Sequence, residues 1–482
     1  MKQKKHYLFI LALSYICLIV GKSPEKPTDF EKNIYNWSKT MAEAFHVVDK
    51  KYYQPIDVSK AMIKAINSFV SLDPHSGALD PKSYEDLLQT TQGEFCGIGV
   101  VIHSLKEADD EFVMIVDTIP GGPADKAELK GGDKIIQINN ELVKGMNLDE
   151  AVSKLKGKKD STVELKVTRG TPGQLKSFTV TRDIIKEQNV TGFYFPEHNI
   201  DYLALNLFTE NSVKQVEQVL KKSKSHKAKA VILDLRNNSG GRLDSALEIA
   251  GLFLPKNSVV VRTKNEKKEV LEEYKTKREP ITNSAVPIFI LINNFTASAA
   301  EILAGTLRLY SKEDINLLAF ITGTESFGKG SVQELIPISN DCALKITIGL
   351  YYFHDNSCLQ KTGITPDFII KQKLPPTAEM EWMNSHFGKE SALKNALTLD
   401  KKEAKKDTAK KATDDEEKSW KERRIEAISS DHQILSTIRL IEMLDLGTKA
   451  YPAKLKKRSD ILSFLGKHFN TDEKIAMEEI TL

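Results

Sequence analysis

Short apolar runs alternate with helical segments between residues 203 and 373, and this alternation constrains the fold more than any other feature of the sequence. A chain in which strands and helices alternate is typical of an α/β core. The predicted strands are residues 231–235, 286–292, 317–322, 332–338 and 343–353, and the predicted helices are residues 243–254 and 298–309.

A second, β-rich unit precedes this core at residues 93–185. Strands are predicted at residues 97–102, 112–116 and 134–138, a Gly/Pro-rich turn at 120–124, and a helix at 148–155. Residues 163–169 and 178–182 are predicted to form a closing hairpin around Gly170 and Gly173.

Helical regions flank these two units. Apolar residues recur every three or four positions from Asn33 to Ser71, and Pro81 begins another short helix, so residues 23–92 form a predicted helical region. Residues 374–482 form a charged C-terminal extension. Its segment 400–424 is a solvated helix or a flexible tether, whereas segment 434–444 is amphipathic.

Composition excludes several classes of protein. The 482 residues are 40% apolar and 28% charged, as in soluble globular proteins, and not as in collagens, coiled coils or polytopic membrane proteins. Lysines and arginines number 69 against 66 aspartates and glutamates, a balance that argues against a general nucleic-acid binder. The four cysteines (Cys17, Cys96, Cys342 and Cys358) are too few and too scattered for a disulfide scaffold or a zinc cluster.

The N-terminus has the layout of a secretory signal over residues 1–22. Lys2, Lys4 and Lys5 precede an uncharged apolar run at residues 7–20, which is short for a membrane-spanning helix. The sequence therefore predicts export. No Ala-x-Ala cleavage site follows, so a membrane anchor is an alternative. Lipid modification of Cys17 is a weaker one, because the residues before it fit poorly.

The first candidate catalytic segment is residues 293–301 (NNFTASAAE), where a predicted strand turns into a helix at Ser298. Ser298 and Glu301 have the spacing of a capping box, in which the hydroxyl only satisfies helix N–H groups. A nucleophile suits the same place, because N–H groups of the first helical turn stabilise a developing oxyanion. The segment alone does not separate these two roles.

The second segment, residues 323–331 (GTESFGKGS), is a near match to a nucleotide-binding phosphate loop. However, Gly330 replaces the residue that binds magnesium, Ser331 comes one place late, and a strand instead of a helix is predicted next. Lys329 is either a buried general base, kept neutral by desolvation, or an exposed lysine in a turn.

The third segment, residues 233–241 (LDLRNNSGG), ends a strand in two glycines. A turn after the strand is enough to explain these two glycines. The alternative is that an N–H of Gly240 or Gly241 joins that of Ala299 as an oxyanion donor. Neither H-E-x-x-H nor G-x-S-x-G is present, so serine chemistry here requires a Ser–Lys dyad.

Taken together, these segments resemble the carboxy-terminal processing peptidases, a Ser–Lys serine protease family with a crotonase-like α/β core. The resemblance covers nearly all of residues 33–373, including segments 72–76 (LDPHS), 234–241 and 326–333 (SFGKGSVQ). It implies that Ser298 is the nucleophile, Lys329 the general base and Gln333 the residue that positions the lysine. It also implies that residues 310–316 are a surface loop insertion.

The β-rich unit resembles the family's PDZ domain, inserted before the protease core. Its carboxylate-binding loop corresponds to Gly97, Ile98, Gly99 and Val100, and strand 100–103 is expected to pair with a bound tail. The resemblance implies protein substrates with unstructured apolar C-termini, no cofactor or metal, and a bacterial periplasmic or cell-envelope location. An adaptor or activating protein and homo-oligomers are further expected partners, and nucleic acid is not.

Two alternatives stay open: a catalytically silent PDZ adaptor and a nucleotide-binding protein. If the protein is exported, Cys342 and Cys358 are also candidates for a disulfide between the ends of one hairpin.

Overall fold

The computed structural model describes residues 28–107, 110–119, 121–170, 173–282, 286–313, 317–372, 420–450, 455 and 457–468. The chain divides into two compact units, Met1–Phe69 and Val70–Leu482. The predicted signal at residues 1–22 lies outside the described residues. Within the described part of the chain, no helix has both the length and the apolar character needed to cross a membrane.

The first unit contains helix α1 (Asp29–Lys51) and most of α2 (Val58–Val70). Thr28 and Glu31 cap α1 reciprocally, with the backbone N–H of each donating to the side chain of the other. The helix predicted from Asn33 to Ser71 is therefore interrupted at residues 52–57. Pro55 lies in this break, and proline cannot donate an i→i−4 hydrogen bond.

The second unit begins with a short strand that joins the α/β core. Strand β1 (Gly77–Leu79) pairs antiparallel with the long strand β18 (Ala343–Tyr352), so part of the predicted N-terminal region is core sheet. Helix α3 (Pro81–Gln92) follows, with Asp80 as its N-cap and Gly93 in the left-handed region at its end.

The β-rich domain is a sheet of order β3-β4-β5-β7-β8 with two helices. The predicted closing hairpin forms, with Leu165 opposite Phe178. The single strand predicted at residues 97–102 is wrong, because Gly99 (φ 74°) separates two strands there. The elements are β2 (Glu94–Gly97), β3 (Val100–Glu107), β4 (Asp110–Thr118), α4 (Pro123–Lys126), β5 (Lys134–Ile138), β6 (Glu141–Leu142), α5 (Leu148–Leu155), β7 (Thr162–Arg169), β8 (Gln174–Thr181) and β9 (Asp183–Lys186). Strand β9 returns to pair with β2, which closes the domain.

The α/β core is built on a six-stranded sheet of order β10-β11-β12-β15-β16-β19, parallel except for the first pair. The predicted α/β core with an inserted β-rich domain is confirmed. Its elements are β10 (Val190–Phe195), β11 (Ile200–Leu205), α6 (Glu210–His226), β12 (Ala230–Asp234), α7 (Leu243–Ala250), β15 (Ile288–Ile292), α8 (Ala299–Lys312), β16 (Ala319–Gly323) and β19 (Phe368–Ile369).

A second sheet places β18 between β17 (Ser331–Pro337) on one side and β1 and β13 (Val259–Lys264) on the other, and β14 (Val270–Lys275) extends it.

The C-terminal helices cover one face of the six-stranded sheet. Leu203 and Leu205 point to the side of α6–α8, whereas Tyr202 and Ala204 point to the side of α9 (Trp420–Ser430), α10 (His432–Ala450) and α11 (Arg458–His468). A parallel sheet needs both faces buried, so these helices complete the core. The amphipathic segment 434–444 is therefore confirmed as a helix, and most of segment 400–424 lies outside the described residues.

Two further expectations fail. Cys342 and Cys358 are free, since they lie near opposite ends of the ten-residue strand β18, about 30 Å apart along the strand. Of the expected surface insertion at residues 310–316, residues 310–312 are instead the last turn of α8, and residues 314–316 lie outside the described residues. There Tyr310 is buried with its hydroxyl donating to the Val259 carbonyl at 3.1 Å, and Ser311 accepts from the Ala319 N–H.

Candidate active site

Ser298 occupies the turn between β15 and α8 in a strained backbone conformation. Its φ of 56° and ψ of −118° differ from the extended geometry of an ordinary N-cap residue. A non-glycine residue in a sparsely populated region costs about 1–3 kcal/mol, and such strain concentrates at functional sites. The side chain is partly exposed, while the flanking residues Ala297 and Ala299 are buried. The conformation therefore favours a functional role over simple capping.

Glu301 connects Ser298 to the loop that carries Lys329. Its fully buried carboxylate accepts from the N–H of Ser298 at 2.8 Å and from the N–H of Lys329 at 2.9 Å, both on Oε2. Its Oε1 accepts from Gly328 N–H at 2.7 Å and from the Ser326 hydroxyl at 2.5 Å. Because Oε2 accepts from both N–H groups, the backbone nitrogens of Ser298 and Lys329 lie no farther apart than the sum of these two hydrogen-bond lengths.

Burial raises the pKa of Glu301 to about 7, although its four donors act in the opposite direction. From the sequence, Glu301 is predicted only as a capping partner of Ser298, and its hydrogen bonds to the Lys329 loop are not predicted. The available signal was the Ser298-x-x-Glu301 spacing, which does not reveal that the carboxylate also contacts residues 326–329.

The loop at residues 323–331 lacks the features of a phosphate loop. The N–H groups of Gly328 and Lys329 are already bound to a protein carboxylate. The next element is strand β17, as the sequence predicts, and not the helix whose N-terminus holds the phosphate in a phosphate loop. Both observations argue against the nucleotide-binding alternative.

Lys329 is partly exposed, and its Nζ donates to Gln333 Oε1 at 2.7 Å. Gln333 lies in β17 beside a β-bulge between Val332 and Gln333, a feature that re-aims side chains next to active sites. Its Nε2 donates to the Thr347 hydroxyl at 3.1 Å. The structure therefore brings together the lysine and glutamine that the sequence singled out.

The glycine pair packs against the Ser298 turn. Gly240 has a φ of 108°, and a Cβ added there would lie 2.8 Å from the Ser298 Cβ. Gly241 has a φ of 121°, and its added Cβ would lie 2.2 Å from the Phe208 carbonyl oxygen. Both positions need glycine for backbone conformation and for space.

Asn238 determines which glycine can serve as an oxyanion donor. The Gly240 N–H donates to Asn238 Oδ1 at 2.8 Å, so in this structure it is committed within its own loop. The Asn238 carbonyl accepts from Ala297 N–H at 2.9 Å, which ties the loop to the Ser298 turn. Gly241 and Ala299 are therefore the remaining donors of the predicted set.

Arg236 connects the same loop to the C-terminal helices. The sequence motifs assign no role to this arginine. Its guanidinium donates to Asp234 within the strand end, and to Asp431 at 2.9 Å and Gln433 at 2.8 Å in and beside α10. Asp234 also accepts from the Tyr202 hydroxyl at 2.8 Å. The C-terminal extension thus helps to fix the loop behind Ser298.

The β-rich domain has a small apolar cavity of about 90 Å³ between β3 and α5. All four residues of the predicted carboxylate-binding loop line it, together with apolar side chains of α5. Among the described strands, β3 pairs only with β4, so its other edge faces this cavity. The lining residues are Phe95, Gly97, Ile98, Gly99, Val100, Ile102, Val152, Leu155 and Lys156.

No group of three or more His, Cys, Asp or Glu side chains is arranged to hold a metal ion in the described parts of the chain.

Comparison with known proteins identifies the family. Residues 199–370 match the sequence model of Peptidase family S41, and residues 87–168 match that of the PDZ domain. The chain is 33% identical over 377 residues to a carboxy-terminal-processing protease of Bartonella bacilliformis, covering 77% of this chain and 84% of that protein. This chain belongs to the S41 family of carboxy-terminal processing proteases. It is a serine-type hydrolase with a PDZ domain, and the resemblance stated from the sequence is confirmed.

A second relative is the carboxy-terminal processing protease CtpA of Bacillus subtilis, 32% identical over 347 residues that cover 71% of this chain and 70% of that protein. Among solved structures, a photosystem II D1 C-terminal processing protease is 26% identical, with a TM-score of 0.40 over 69% of this chain and 87% of that chain.

Proposed function

We propose that this S41 protease cleaves peptide bonds with Ser298 as nucleophile and Lys329 as general base. The observation that carries the proposal is the buried carboxylate of Glu301, which binds the backbone of both residues at once. Neutral Lys329 takes the Ser298 hydroxyl proton as the serine oxygen attacks the scissile carbonyl. The lysine then gives a proton to the departing amine, and water releases the acyl group by the same route.

The oxyanion of the tetrahedral intermediate is held by backbone N–H groups. Ala299 is the first residue of α8, where N–H groups have no partner within the helix. Gly241, next to the glycine that packs against the Ser298 turn, supplies the second N–H, and the positive end of the helix adds to the stabilisation. Removing one such donor typically costs about 10²–10³ in rate.

The PDZ domain selects substrates by their C-terminal residues. Its loop N–H groups would bind a terminal carboxylate, the edge of β3 would pair with the tail, and the apolar cavity would take an apolar side chain. A tail bound in this extended form must come from an unstructured segment. The substrates are therefore proteins with unfolded, apolar C-termini.

Export to a bacterial periplasm or cell envelope is part of the proposal, and it rests on the basic start and the apolar run at residues 7–20. An adaptor or activating protein and self-association are compatible with the exposed apolar residues of α1, among them Phe30, Ile34 and Trp37.

The test compares the purified full chain with Ser298→Ala and Lys329→Ala, using an unfolded protein that ends in an apolar tail, with EDTA present. We expect cleavage by the wild-type chain and no detectable cleavage by either variant. The same protein with two aspartates at its C-terminus is the control, and its cleavage should be weaker. Tail binding without cleavage by the wild-type chain would instead indicate the silent adaptor.

A further inference from the structure

The loop LDPHS, which the proposed mechanism leaves without a role, connects to Lys329 through four side chains. Asp73 Oδ2 accepts from the Ser76 hydroxyl at 2.6 Å, and the Ser76 and Thr347 hydroxyl oxygens lie 3.3 Å apart. Thr347 accepts from Gln333 Nε2, and Gln333 Oε1 accepts from Lys329 Nζ. Asp73 and Ser76 are buried, and Gln333 lies opposite Thr347 across β17 and β18.

The direction of these hydrogen bonds follows from donor counting. Ionised Asp73 can only accept, so the single hydroxyl proton of Ser76 goes to it. Ser76 Oγ accepts from the backbone N–H of Thr347 at 3.0 Å, and the Thr347 hydroxyl proton is directed at Ser76 or at Asp73. Thr347 must therefore accept from the amide nitrogen of Gln333, and this leaves the amide oxygen of Gln333 to face Lys329.

Asp73 is itself fixed and ionised. Its Oδ1 accepts from the N–H groups of His75 at 2.8 Å and Ser76 at 3.1 Å. Burial alone would raise the pKa of Asp73, but the hydrogen bonds from Ser76 and His75 outweigh it and lower the pKa below its usual value. The carboxylate therefore remains an acceptor at neutral pH.

We propose that Asp73, through Ser76 and Thr347, is a positioning residue that keeps the amide oxygen of Gln333, and not its NH₂ group, directed at Lys329. This inference rests on the proposed function. An amide oxygen accepts one N–H of the neutral amine and leaves the amine lone pair for the Ser298 proton. An amide NH₂ in the same place would donate to that lone pair and compete with Ser298.

Replacing Asp73 by asparagine should reverse the direction of the hydrogen bonds from residue 73 to Gln333. The two backbone N–H groups hold the asparagine oxygen at the Oδ1 position, so its NH₂ group faces Ser76 and donates to it. The Ser76 proton must then go to Thr347, and the Thr347 proton to Gln333. Gln333 would turn its oxygen to Thr347 and its NH₂ group to Lys329.

The test measures kcat and KM for cleavage of a fluorogenic peptide with an apolar C-terminus by the full chain and three variants: Asp73→Asn, Thr347→Val and the double variant. We expect Asp73→Asn to lower kcat by about tenfold or more with KM unchanged, since general-base catalysis contributes about 10²–10⁴-fold. Thr347→Val interrupts this series of hydrogen bonds without reversing its direction, so it should lower kcat less. The double variant should therefore recover to the level of Thr347→Val.

If Asp73 has a purely structural role, the double variant should have a lower kcat than Asp73→Asn, because the second substitution adds to the damage. That result, or an unchanged kcat for Asp73→Asn, would overturn the inference. Thermal midpoints and tail-peptide affinity establish that each variant is folded. If the wild-type chain shows no cleavage that depends on Ser298 and Lys329, the proposed function fails instead, and the two failures are distinguishable.

Discussion

At the scale of single residues, Glu301 is a buried acid that joins the two segments carrying the proposed nucleophile and base. Its side chain binds the backbone on both sides of the proposed dyad, so its cost in desolvation is offset by four hydrogen bonds. Its pKa, raised by burial to about 7, means that the folded protein binds this proton more tightly than the unfolded chain does.

Glu301 should therefore make stability depend on pH. With a folded pKa of about 7 and an unfolded value of 4.5, its contribution is fully present below pH 4.5 and is lost as the pH rises towards 7. Urea unfolding at pH 5, 6 and 7 should show the free energy of unfolding falling with pH, and Glu301→Gln should lack this part of the slope. Glu334→Gln, at an exposed position of β17, is the matched control. An identical slope in both variants would contradict the assignment.

At the scale of elements, the C-terminal helices are part of the protease core. Apolar residues of α10 and α11 pack on one face of the six-stranded sheet, and Arg236 ties its active-site loop to Asp431. The segment that composition marks as a charged extension thus ends in helices whose buried side chains complete the fold.

Truncating one buried side chain of α10 should measure this contribution. Leu440 is fully buried, so Leu440→Ala should lower the free energy of unfolding by about 2–5 kcal/mol. Leu271→Ala, at a half-exposed position of β14, is the control and should change it by less than about 0.5 kcal/mol. Chemical denaturation of the full chain measures both. Equal effects would show that the helix does not contribute to the core.

At the scale of the whole molecule, the chain enters and leaves the PDZ domain at one place, beside the start of α6. Gly93, before the domain, accepts from the N–H of Glu187, after it. Glu187 in turn accepts from Gln215 of α6, while Gly93 packs against Thr209 at the start of the same helix. The proposed function nevertheless assigns tail binding and cleavage to different sets of residues.

This division predicts separate effects on KM and kcat. Val152→Asp places a charge in the apolar PDZ cavity, and it should raise the Kd of an apolar tail peptide and the KM of a tailed substrate about tenfold or more. The kcat at saturation should change little, because no catalytic side chain moves. Leu142→Asp, exposed elsewhere on the domain, should change neither constant. A loss of kcat alone would contradict the division.

Much of this organisation is encoded locally and could be predicted. The alternation of strands and helices, the β-rich insertion and the turn before α8 follow from apolar periodicity and from glycine and proline placement. Ser298, Lys329 and Gln333 are recognisable because each lies in a segment whose neighbours in sequence carry the pattern.

Contacts between distant segments could not be predicted in this way. The break in the strand at Gly99 depends on a positive φ, and the contact of Ser76 with Thr347 of β18 joins residues 271 positions apart. The wrong disulfide has the same origin, since the length of β18 separates two cysteines that lie close in sequence.

The sequence by itself thus determined most of the elements, because periodicity and turn chemistry act over a few residues. It also carried the short motifs by which the chain resembles its family, and the proposed nucleophile and base follow from that resemblance. Only the tertiary structure decided that Glu301 joins Ser298 to the Lys329 loop, and that Asn238 occupies the Gly240 N–H. It also decided that the C-terminal helices complete the core. The physical reason is that burial and hydrogen-bond direction depend on every group around an atom, and those groups come from segments far apart in the chain.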